Sequence, residues 1–160
     1  MKQWRRQAAE GAIREGLTIR FDRTFTEKDL HDFALITRDY NPCHFDQRFC
    51  ELKKFSGPVC HGLLVGSMLC EPGGQWGWLA SEMNFKYVKP VYVGDTITCE
   101  ITIKHVTERG SARAEAVFTN QRGEVVVKAM LAGILPSAAD REVMAEMMKE
   151  GDPTNPLREE

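Results

Sequence analysis

The stretch DYNPCHFDQRFCELKKFSGPVCHGLLVGSML, residues 39–69, decides how the rest of the chain is read. Pro42 fixes its own φ, lacks an amide donor and drives Asn41 out of the α region, so a helix arriving over residues 30–36 must stop near Asp39. Asp39 and His44 are five residues apart, which misaligns them on a continuous helix but lets both face one cleft across a tight turn. By itself such a pair is an ordinary capping or surface contact. The sequence that follows turns the reading toward chemistry.

Gly57-Pro58 and Val59-Cys60-His61-Gly62 lead into Leu63, Leu64, Val65, Met68 and Leu69, broken only by Gly66 and Ser67. This pattern predicts a helix within 59–69 that has no polar face and is therefore wrapped by other structure, ending at Glu71-Pro72-Gly73-Gly74. The first amides of such a helix have no intrahelical acceptor and can hold a developing negative oxygen, with Gly62 permitting close approach.

Outward from this core, Leu17, Ile19 and Phe21 alternate with polar residues as in a half-buried strand. Thr26, with Asp29 three residues on, predicts the start of a helix whose apolar face is Leu30, Phe33, Ala34 and Ile36. Asp46 is the expected N-cap of a short helix reaching Lys54. Further strands are read over 83–87, 97–104, 112–118 and 124–135, with a Gly94-Asp95 hairpin and a turn over 120–123. Neighbouring antiparallel strands plus one buried helix define an α+β domain rather than a doubly wound one. Residues 141–150 read as a helix with a Met144, Met147, Met148 stripe, and the chain from Gly151 on reads as frayed.

The length of 160 residues fits one domain, and a net charge of −2, from 21 basic and 23 acidic residues, gives no reason to expect nucleic acid or a membrane surface as partner. Residues 1–16 contain Lys2, Arg5, Arg6 and Arg14 but no apolar run suited to a signal peptide or a span, and read as a short helix or loose tail. Five cysteines without a Cys-x-x-Cys spacing suggest a reduced, cytoplasmic setting, and none stands out as a nucleophile.

Asp39-Tyr40-Asn41-Pro42-Cys43-His44-Phe45-Asp46, followed by His61-Gly62-Leu63, resembles the hydratase signature of the MaoC-like dehydratases, the (R)-specific enoyl-CoA hydratases. Residues 85–96, FKYVKPVYVGDT, are similar to that family's strand, Pro-Val turn and Gly-Asp hairpin, and the resemblance spans residues 17–135. Departures are Cys43, where a branched aliphatic residue is usual, and Cys70, near the place of a small hydroxyl residue. The resemblance implies a hot-dog domain over 17–135, an antiparallel sheet wrapped around a central apolar helix, with an extension at 1–16 and a helix and tail at 136–160. A homodimer with thioester sites near its interface is implied as well.

The activity implied is interconversion of trans-2-enoyl and (R)-3-hydroxyacyl thioesters, of coenzyme A ahead of a carrier protein, without metal or redox cofactor. Asp39 and His44 would hold the catalytic water, with His44 on the hydroxyl side and Asp39 exchanging the α-carbon proton. Gly62 would give its N–H to the thioester oxygen, and Asn41 and His61 would support the site, Asn41 by bracing the turn. Side chains at about 3.9 for Asp and about 6.5 for His need tuning by burial and contact to do this near neutrality.

Two other classes compete. A hot-dog thioesterase would use a carboxylate to activate water at the carbonyl, and the Asn-Pro-x-His sequence after Asp39 argues against it. A non-catalytic acyl-binding subunit has no need of the Asp39 and His44 pair. Asp39, His44 and His61 offer metal-ligating atoms but no specific ligand spacing. Trp76 and Trp78 are candidates for an acyl wall or plain core, and Lys53, Lys54, Lys86 and Lys89 for phosphate contacts.

Overall fold

The computed structural model describes residues 2–159. Strands β1 (Thr18–Thr24), β2 (Leu79–Tyr87), β3 (Thr96–Val106), β4 (Ser111–Asn120) and β5 (Val125–Ile134) form one antiparallel sheet in the order β1-β3-β4-β5-β2. Alternation sets the faces: Ile97, Cys99, Ile101 and Ile103 of β3 and Ala112, Ala114, Ala116 and Phe118 of β4 are all buried. Three alanines in a row on the inner face of β4 keep that face shallow. Leu64, Val65, Met68 and Leu69 share one core with it.

These four residues belong to the central helical segment, made of α4 (Gly62–Gly66), a one-turn 3₁₀ helix (Ser67–Leu69) and α5 (Cys70–Trp76). It runs on through Pro72-Gly73-Gly74, where the sequence predicted its end, and stops at Gly77, whose φ of 64° caps it in the left-handed region. A proline inside a helix removes one hydrogen bond and crowds the carbonyl four residues earlier, here that of Met68. The tightened 3₁₀ turn covers that residue and accommodates the proline. Upstream, Val59 is extended and bridges to Tyr92, so the helix begins at Gly62.

Helix α2 (Glu27–Thr37) has the Thr26–Asp29 capping box and ends at Arg38 in the left-handed region. Leu30 and Ala34 are buried and Phe33 packs on the core, but Ile36 is 81% exposed, contrary to its expected place on the apolar face. Six residues past Leu30, it sits well off the stripe that Leu30, Phe33 and Ala34 define. Asp46 caps α3 (Gln47–Leu52), its carboxylate accepting from the amides of Arg48 and Phe49. Asp95 anchors the turn after Tyr92 as expected, accepting from the Tyr92 amide at 2.9 Å and from Gln121 Nε2 at 2.6 Å.

Helices α1 (Lys2–Ala9) and α6 (Ala138–Lys149) pack on one another, and α1 also packs on α5. Helix α6 starts earlier than the sequence suggested because Ser137 and Asp140 form a second capping box. Of its methionine stripe only Met144 is fully buried. Beyond Gly151 the expected frayed tail is tied down: Asp152 and Asn155 are buried, and Asn155 exchanges two amide hydrogen bonds with Gln75 at 3.1 and 3.0 Å. A partner 80 residues away is invisible to local patterning.

Candidate active site

The site forms where the chain leaves α2 and again where it enters α4. Arg38 turns the chain out of the helix, and Asp39 Oδ1 accepts from the Asn41 amide at 3.1 Å. Asn41 Oδ1 in turn accepts from the Cys43 amide at 3.2 Å, capping the one-turn 3₁₀ helix Pro42–His44. Asn41 braces the turn, and the turn aims His44 inward, where it is 8% exposed.

The ring nitrogens of His44 have distinct surroundings. Nδ1 lies 2.7 Å from the Val59 carbonyl, which can only accept, so Nδ1 carries the proton. Nε2 therefore presents its lone pair, 3.7 Å from Asp39 Oδ2. That separation is too long for a direct hydrogen bond. Asp39 itself is half exposed on its side chain, so one member of the pair faces water and the other the interior. Burial is the largest influence on His44 and pushes its pKa below the usual imidazole value; the Val59 hydrogen bond opposes this, the neighbouring His61 adds to it and the Asp39 charge opposes it.

His61 is 2% exposed and its ring stacks on that of His44, with centroids 3.8 Å apart and planes at 27°. Its Nε2 donates to the Asp39 carbonyl at 2.9 Å. Asp39, His44 and His61 bring ligating atoms within 4.8 Å of one another. Nearly parallel rings direct their in-plane lone pairs past each other rather than at one ion, so the geometry is poor for joint ligation.

Two cavities meet at His44. One, about 410 Å³, is walled by His44 and Gly62 together with Val59, Val65, Tyr87 and Val91, and is mainly apolar. The other, about 550 Å³, lies toward Glu27, Phe45, Tyr92 and Arg122. Gly62 thus faces the same space as the imidazole, at the start of the helix where its N–H has no intrahelical acceptor.

Tyr87 was absent from the sequence-derived site; its alternation with Lys86 shows its face of β2, but not that this face lies over Gly62. Lys89 reaches the first cavity while pairing with Glu124 at 2.6 Å, and Lys53 lies over the Phe49 ring. Trp76 and Trp78 are core residues near the far end of the helix. All five cysteines are free; burial pushes the thiols of Cys60 and Cys99 up to about 12 and raises that of Cys43, so none of these three is poised as a thiolate. Cys70 is exposed on the helix surface.

The family model for the MaoC like domain matches residues 8–126. The chain belongs to the MaoC-like family. An (R)-specific enoyl-CoA hydratase of Aeromonas caviae is 29% identical to this MaoC-like protein over 103 residues, covering 61% of the chain and 75% of the relative. A mitochondrial 3-hydroxyacyl-[acyl-carrier-protein] dehydratase of Solanum lycopersicum is 26% identical over 139 residues, covering 81% and 82%. The solved structure of the (R)-hydratase from A. caviae superposes with a TM-score of 0.73 at 26% identity, over 78% of this chain and 98% of that one. The MaoC-like protein therefore has the hot-dog fold and is an enzyme of the hydratase/dehydratase class. Among its described residues no helix is long and apolar enough to cross a membrane.

Proposed function

We propose that this MaoC-like protein adds water to trans-2-enoyl thioesters and removes it from (R)-3-hydroxyacyl thioesters, with coenzyme A ahead of a carrier protein as the thiol. The observation that carries this reading is the orientation of His44. Its Nδ1–H is committed to Val59 and its free Nε2 lies 3.7 Å from Asp39 Oδ2, while His44 and Gly62 both line one apolar cavity. A water oxygen bridges two such groups readily. The names of the curated relatives, hydratases and dehydratases of CoA and carrier-protein thioesters, support the substrate class.

In hydration, His44 Nε2 takes a proton from water as its oxygen bonds to the β-carbon, and the enolate oxygen develops against the Gly62 N–H. The proton then passes from His44 to the Asp39 carboxylate, which delivers it to the α-carbon, so the pair ends as it began, with His44 neutral and Asp39 charged, and works as one unit handling one proton. Dehydration retraces these steps, and the direction follows the supply of substrate. Residues 17–135 hold every group this reaction uses.

A homodimer joined along β2 completes the proposal. Among the described strands β2 has only β5 beside it, and Leu79, Met83, Tyr87 and Val88 leave apolar surface on that edge. Pairing with a second copy covers the edge and brings a neighbour close to Tyr87 and the cavity.

Incubating the protein with a short trans-2-enoyl-CoA, while following both the conjugated thioester absorbance and free thiol, tests the reaction. Loss of absorbance without thiol release is expected. Thiol release would make it a thioesterase, and no change with either CoA or carrier-protein thioesters would make it a binding subunit.

A further inference from the structure

His61 touches each part of the proposed dyad by a different route. Its Nε2–H holds the main-chain carbonyl of Asp39, its ring lies face to face with His44, and as the N-cap residue of α4 it directly precedes Gly62. Because Nε2 is committed as a donor, the neutral tautomer leaves Nδ1 bare, and Nδ1 is buried without a hydrogen-bond partner. An unpartnered nitrogen in the interior costs stability. Phe33, with its ring centroid 5.3 Å away, and Phe45, at 6.0 Å, pack around the imidazole and supply no acceptor. A ring needed only to fill space would be better served there by an apolar side chain.

We propose that His61 is the positioning residue of this site, fixing the Asp39 main chain through Nε2–H and the His44 imidazole through the stacked ring. The proposal rests on the hydratase reading for its catalytic meaning, but its structural content is separate. A proton placed on His44 meets the His61 ring at stacking distance, and this neighbour disfavours the charged form of His44. The other titratable groups around His44 are Asp39 and Cys43 on its own turn, His31 beyond Phe45, Cys60, Tyr87 and Lys89 along one cavity, and Glu27, Tyr92 and Arg122 along the other. Among the described residues, His61 alone stacks face to face with it.

The test is a pH titration of the imidazole ¹⁵N and ¹H resonances in the native chain and in His61→Gln and His61→Phe, with hydration kinetics alongside. In the native chain His61 should be the Nε2–H tautomer and His44 the Nδ1–H tautomer. Both variants should move the His44 midpoint to higher pH, since neither keeps an imidazole stacked on that ring. Glutamine keeps an N–H for the Asp39 carbonyl, so His61→Gln should retain kcat within about threefold, whereas His61→Phe should lose about ten- to a hundredfold with little change in KM.

An Nδ1–H tautomer for His61, or a His44 midpoint unmoved in both variants, overturns the proposal; the native tautomers decide the first point even if a variant fails to fold. Equal kcat in His61→Phe and the native enzyme also overturns it. Absence of turnover in the native chain would remove the hydratase reading and leave the NMR result to judge the positioning claim.

Discussion

Tyr87 covers Gly62: a Cβ built on that glycine would lie 2.7 Å from the tyrosine ring. The same relationship recurs one turn along, where a Cβ on Gly66 would lie 2.8 Å from Phe85. The aromatic rings of β2 stack with each other at 6.1 Å and rest on a glycine stripe of the central helix. Substituting Gly62→Ala pushes against the outer part of a half-exposed side chain that can swing away. The expected outcome is stability within about 1 kcal/mol of the parent, because alanine also gains helix propensity, together with a loss of activity of about tenfold or more as the N–H environment shifts. Thermal unfolding and kcat measured on one preparation check both halves.

Gly133→Ala should behave in the opposite way. A Cβ there would meet the Leu79 carbonyl at 2.3 Å, Trp78 Nε1 at 2.4 Å and the Ala80 Cα at 2.9 Å, and main-chain atoms of a paired strand cannot rotate aside. A loss of roughly 1–3 kcal/mol or more in urea unfolding is expected from this overpacking. An unchanged midpoint would contradict the packing of β2 on β5.

The state of His44 sets the acid limit of both stability and rate. Burial first, with His61 adding, lowers its folded pKa, against the Val59 hydrogen bond and the Asp39 charge. The unfolded chain therefore binds the proton first as pH falls through about 6.5. This contribution to stability is present above that pH and is lost as pH falls toward the lower folded value. A neutral base is the active form, so the acid limb of kcat/KM should fall below pH of about 6.5. Denaturant midpoints across that range, compared with those of His44→Gln, and the pH profile of the native enzyme measure the two effects.

Much of this arrangement was legible in the sequence, and the exceptions have two causes. Period-two alternation placed the inner faces of β3 and β4, and Asn41-Pro42 marked the turn between Asp39 and His44. Helix α5 was missed because a Pro-Gly-Gly run reads as a stop, whereas the preceding 3₁₀ turn accommodates the proline. The stacking of His61 on His44 and the hold of Asn155 on Gln75 both join residues far apart in sequence. No local pattern reports such pairs.

Asn155 illustrates the energetic side. Asn155→Ala strips both Nε2 and Oε1 of the Gln75 amide of their partner and takes one hydrogen bond from Asp152 Oδ2, all in the interior. A loss of about 1–3 kcal/mol is expected, measured by thermal unfolding, with the kinetics of the distant site unchanged.

The exposed edge of β2 makes a separate demand. Met83→Glu places a charge on that edge without touching Asp39, His44 or Gly62, and should shift light-scattering mass from dimer to monomer. A native chain that is already monomeric at micromolar concentration would contradict the dimer.

The central claim is that Asp39 and His44 together move the protons of hydration. The direct measurement is the chirality and rate of product formation from a trans-2-enoyl-CoA by the native enzyme, Asp39→Asn and His44→Ala, each verified as folded. The account predicts (R)-3-hydroxyacyl-CoA from the native enzyme and a loss of about 10²- to 10⁴-fold in each variant. An (S) product, or a folded variant that retains native turnover, would contradict it.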